Sequence, residues 1–101
     1  MDTNEIQGIV LDALRNANLA RDPEQQLAVA PDAVIFGRGS ALDSLGLVAL
    51  LIDIEETLAS RGATVTLTNE RAMSRSRTPF RSVPSLVAYI AEILSAQAQG
   101  A

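Results

Sequence analysis

Apolar side chains return along this chain in three helical rhythms separated by irregular stretches. Ile6, Ile9, Val10, Ala13, Leu14 and Ala17 follow one another at three- and four-residue spacing, which gathers them into one stripe on a helix. Asp2 or Thr3 stands where that helix needs an N-cap, and Asp2 with Glu5 makes a capping-box-like pair. A second helix is predicted from about Ser44 to about Ser60, and its apolar content exceeds what one core-facing stripe needs. At about 100° per residue, Leu47, Leu50, Leu51, Ile54 and Leu58 share a face, whereas Leu45, Val48, Ala49 and Ile52 fall roughly opposite. The first set makes core. In the second set Leu45 fits either a covered or an open position. Val48 and Ile52, rimmed by Glu55 and Glu56, read as an apolar strip that a transient partner would grip. The last helix is marked by Ser82 as cap, Pro84 in the first turn, and a stripe of Val83, Leu86, Val87, Ile90, Ile93 and Leu94, with Tyr89 at its edge. Its tail, from about residue 96 to 101, is expected to fray.

The connections are less regular. Residues 18–43 contain Pro23, Pro31, Gly37 and Gly39, yet also Leu27, Val29, Val34, Ile35 and Phe36. A connection of this length in a compact domain is either functional or packs its own side chains on the core, and these apolar residues point to packing. Gly62 is placed to end the second helix, Val65-Thr66-Leu67 is an extended approach, and Thr68 or Asn69 is suited to cap a short helix of residues 70–75. Arg71, Arg75, Arg77 and Arg81 follow, with Pro79 interrupting any helix there. Such a charge run is ordinarily a solvated face.

Composition narrows the chemistry. The chain has 101 residues, 48% of them apolar but only 3% aromatic, so one core built from Leu, Ile, Val and Ala is expected, in a single all-α domain spanning 1–101. Without Cys or His the chain cannot assemble a disulfide, a thiolate or imidazole metal site, or a Ser-His-Asp triad, and catalysis by this chain is not expected. Net charge is −4, and all eight basic side chains are arginines, a balance that argues against nucleic-acid binding. The sign is uneven: ten of the twelve carboxylates lie within residues 1–56, whereas five of the eight arginines lie after them. No apolar run is long enough to span a bilayer and no secretory signal opens the chain, so the default expectation is cytoplasmic, without membrane partners.

The residues with most to say about function are Asp43-Ser44-Leu45, where irregular chain passes into the apolar second helix. Taken alone, Ser44 is a helix-capping serine, with Asp43 able to cap beside it. The register around it adds more: Leu45, Val48, Leu50, Glu55 and Glu56 follow at set offsets, and Val83 and Tyr89 stand at matching positions in the last helix. In these residues the chain resembles the acyl and peptidyl carrier proteins, over about residues 3 to 95. The resemblance implies a stand-alone four-helix carrier-protein bundle, three long helices and one short, with a long loop between the first two. It further implies that Ser44 is the point of covalent attachment of 4'-phosphopantetheine, that Asp43 assists recognition by a phosphopantetheinyl transferase, and that an acyl or aminoacyl group rides on the arm as a thioester. Partners would then be the transferase, an acyl- or aminoacyl-loading ligase or transferase, and downstream biosynthetic enzymes, met by a monomer through Leu45, Val48, Ala49, Ile52, Glu55 and Glu56.

Two departures from that pattern bear on partner choice. Many fatty-acid carrier proteins have carboxylates two and five positions after the serine, where this chain has Gly46 and Ala49, and position 41, often Gly, is Ala. An acidic dock thinned to Asp53, Glu55 and Glu56 points away from housekeeping fatty-acid synthesis and toward a specialised pathway. The competing expectation is an adaptor of the same fold that docks a partner through Leu45, Val48 and Ile52 and is never modified.

Overall fold

In the computed structural model, which describes residues 1–37, 40, 42–67 and 78–100, the three predicted rhythms are helices: α1 (Thr3–Asn18), α2 (Ser44–Ser60) and α3 (Val83–Gly100). Single 3-10 turns occupy Pro23–Gln25 and Thr78–Phe80. The described residues contain no β-strand, only an isolated antiparallel bridge between Val34 and Ser82. The fold is all-α and compact, with a Cα radius of gyration of 13.0 Å, as expected for about 100 residues. The expected short helix at 70–75, its caps Thr68 and Asn69, and Arg71, Arg75 and Arg77 lie outside the described residues. No helix among the described residues is long and apolar enough to cross a membrane.

Each helix is started and stopped by identifiable chemistry. The Asp2 carboxylate accepts the Glu5 N–H at 2.8 Å, capping α1. At the other end of α2, Gly62 adopts φ +86°, and the N–H groups of Gly62 and Ala63 donate to the carbonyls of Ala59 and Leu58 at 3.0 and 2.9 Å. These two bonds make a Schellman motif, in which a glycine takes up the left-handed conformation that reverses the chain. Ahead of α3, Ser82 and Ser85 cap reciprocally, each hydroxyl accepting the other's backbone N–H at 3.3 and 3.1 Å. The last helix runs on to Gly100. The tail is rich in Ala and Gln, which favour helix, and the Gln97 side-chain amide donates to the Thr64 carbonyl at 2.6 Å.

The core follows the stripes. Ile6, Ile9, Val10, Ala13 and Leu14 of α1 pack with Leu47, Leu50, Leu51, Ile54 and Leu58 of α2 and with Val83, Leu86, Val87 and Ile90 of α3. Phe80 closes one side, its ring edge-on to Tyr89 at a centroid distance of 5.9 Å, a favoured aromatic geometry. The connection between α1 and α2 adds Leu27, Ala33, Ile35 and Leu42 to this core. Asn18 holds its beginning by pairing with one residue like a strand neighbour. Its amide donates to the Leu27 carbonyl at 2.9 Å and its carbonyl accepts the Leu27 N–H at 2.7 Å. Farther along, Ile35 N–H donates to the Arg81 carbonyl and Val83 N–H to the Ala33 carbonyl, at 2.8 and 2.9 Å.

Beyond Gly62, Val65 and Leu67 are buried while Thr66 is exposed. A buried backbone N–H needs a partner, and that of Leu67 finds the Glu55 carboxylate on α2 at 2.8 Å.

Candidate functional site

The site is built where the connection enters α2. Leu42 is only 6% exposed and anchors the approach in the core, its N–H donating to the Ser40 hydroxyl at 3.2 Å while that hydroxyl donates to the Ile35 carbonyl at 2.6 Å. Asp43 follows in extended conformation and its carboxylate accepts the Gly46 N–H at 2.7 Å. The N-cap of α2 is therefore Asp43, and Ser44 is the first helical residue. Sequence reasoning left the cap open between the two. The structure assigns it to Asp43 because an N-cap side chain reaches the N–H three residues ahead, and that N–H belongs to Gly46. The unpaired N–H groups of the first turn and the positive end of the helix dipole lie beside Ser44.

Along α2 the two faces separate as the periodicity requires. Leu47, Leu50, Leu51, Ile54 and Leu58 are buried. On the other side Leu45 is 80% exposed, Ile52 is 43% exposed, Ala49 is exposed and Val48 is half-buried. Leu45, open to either environment from the sequence, is thus a solvent-facing leucine next to Ser44. Of the two carboxylates expected to rim this strip, Glu56 is exposed, whereas Glu55 is half-buried and accepts the Leu67 N–H. Glu55 thus also ties the segment after α2 to the helix.

Sequence reasoning missed what lies beside the strip. Gly46, Ala49, Leu50 and Asp53 recur at helical spacing on α2 and, with Leu42 and the end of α1 from Ala13 through to Arg21 just beyond it, line a cleft of about 440 Å³, within the size range of ligand pockets. Alanines supply much of its wall, Ala13, Ala17 and Ala20 on one side and Ala49 on the other. Gly46 is the tightest point: a Cβ there would fall 2.8 Å from Leu42 Cδ1 and 3.1 Å from Asp43 Oδ1. The signal in the sequence is a glycine two residues into the helix, a position that lacks a side chain as well as a charge.

No protein-family model, curated protein or solved structure matches this chain.

Proposed function

We propose that this chain is a carrier protein that holds an acyl or aminoacyl group on a 4'-phosphopantetheine arm attached to Ser44, in a specialised biosynthetic pathway. The observation that carries this reading is the placement of Asp43-Ser44-Leu45: the serine opens α2, the aspartate before it caps the helix, and the leucine after it is open to solvent. Attachment would form a bond from the Ser44 oxygen to the phosphorus bearing the arm, break the pyrophosphate bond of coenzyme A, and release its nucleotide half. The hydroxyl proton passes to a base of the transferase, Asp43 being engaged in the cap through the Gly46 N–H. The resulting phosphodiester would lie beside the free N–H groups at the start of α2, a favourable setting of about 0.3–1 kcal/mol at an exposed helix end. The arm supplies a thiol for thioester carriage, and the chemistry of loading and transfer belongs to partner enzymes. The same reading takes the fold as a four-helix carrier bundle with a long first loop and a short helix near residues 70–75, and Leu45, Val48, Ala49, Ile52, Glu55 and Glu56 as the surface those enzymes meet.

The exposed strip of Leu45 and Ile52 equally suits an adaptor that docks without being modified. One measurement separates the two. Incubation with coenzyme A and a broad-specificity phosphopantetheinyl transferase should raise the intact mass by one arm in the wild-type chain and not in Ser44→Ala. A wild-type chain that stays unmodified beside a carrier protein that is modified in the same tube would favour the adaptor.

A further inference from the structure

The two residues before Ser44 both lean on Gly46. The tip of Leu42 occupies the space a Cβ at position 46 would need, and the Asp43 carboxylate takes the Gly46 N–H while lying 3.1 Å from that same Cβ position. Any side chain there must push against both. Leu42 is buried and cannot simply swing into water, but the cleft that it and Gly46 line gives its tip somewhere to go. A methyl group at position 46 should therefore be accommodated by a shift of Leu42 and a loosened cap rather than by unfolding, and the helix itself gains from losing a glycine. What moves first is the Leu42 tip and the Asp43 carboxylate, the two side chains that hold the chain leading into Ser44.

We propose that Gly46 is a positioning residue: the absence of its side chain seats Leu42 and Asp43, and so fixes the turn of backbone on which Ser44 is offered to the transferase. This rests on Ser44 being the attachment point. It also gives a physical reason for the lack of a carboxylate at this position. An aspartate at 46 would meet Leu42 and bring a second negative charge against Asp43, so Gly46→Asp should disturb the start of α2 instead of simply adding an acidic dock.

The test compares wild type, Gly46→Ala, Leu42→Val and the double variant Gly46→Ala/Leu42→Val. Valine lacks the Leu42 Cδ1 that the new methyl would strike. Arm attachment is measured with a broad-specificity transferase at saturating coenzyme A, with kcat and KM for the protein resolved separately. Hydrogen exchange at the residue-46 amide reports the cap bond to Asp43. Gly46→Ala should lower kcat/KM roughly tenfold, because small errors in placement are costly to a positioned reaction, and should speed amide exchange at residue 46 while the melting temperature moves by no more than about 3 °C. Adding Leu42→Val should recover most of both losses. Wild-type kinetics and exchange in Gly46→Ala would overturn the proposal, as would a loss that Leu42→Val leaves unrelieved. A wild-type chain that takes no arm removes the carrier reading, while the exchange measurement still reports on the contact between positions 42 and 46.

Discussion

With Asp43 as the cap of α2, substitutions at positions 43 and 44 should separate. Ser44→Ala should abolish arm attachment with little change in stability, because Ser44 follows the cap instead of forming it. Asp43→Ala leaves the Gly46 N–H without its partner and should cost about 1 kcal/mol, measurable by urea denaturation. If Ser44→Ala proved the more destabilising of the two, the assignment of the cap would be wrong. Asn18 is a second residue with more at stake than its polarity suggests. Asn18→Ala deprives both backbone groups of Leu27 of their partners and should destabilise by about 2 kcal/mol, the cost of stranding partly buried polar groups. Asn18→Asp, which can still accept the N–H but cannot donate, should fall between. Neither the cap's owner nor the Asn18 clamp was readable in advance. Asp43 and Ser44 are both good caps, and the partner of Asn18 is set by how the chain folds back.

Helices were the most legible level because period and burial are the same physics. The stripe Leu47, Leu50, Leu51, Ile54 and Leu58 was visible as spacing and is buried as spacing requires. Ile54→Asp, which would place an unpaired charge at a fully buried position, should leave the protein unfolded or nearly so. Ile52→Asp should fold normally and, on the carrier reading, slow transfer by cognate enzymes. Circular dichroism distinguishes them, and equal loss of helix in both would invalidate the division of faces. Val48 is half-buried, so Val48→Asp should show an intermediate loss of stability. The end of α2 was also legible, since a glycine after a helix is the usual partner of a Schellman turn. Gly62→Ala meets no neighbouring atom, so its cost is the left-handed backbone alone, about 1–2 kcal/mol by thermal unfolding. Toward the end of α3, Gln97 reaches Thr64 across the molecule, a tie that local composition does not show.

At the scale of the whole molecule, the contacts hardest to foresee tie irregular segments to helices. Glu55 has the look of a surface carboxylate, and only the folded chain brings Leu67 to it. Glu55→Ala should therefore destabilise the protein by about 1–3 kcal/mol, with Glu55→Gln, which keeps an accepting oxygen, closer to wild type in urea denaturation. A loss confined to partner binding would instead make Glu55 the surface residue it resembles in sequence. The bridge between Val34 and Ser82 has a different consequence, one of time. It joins the middle of the first connection to the threshold of α3 across all of α2. Closing so wide a loop sacrifices chain entropy before any contact compensates, whereas α1, α2 and α3 each begin from neighbours in sequence. The bridge is therefore expected to close after the helices have begun to form, and the approach to Ser44 to take its final course only once Val34 has met Ser82.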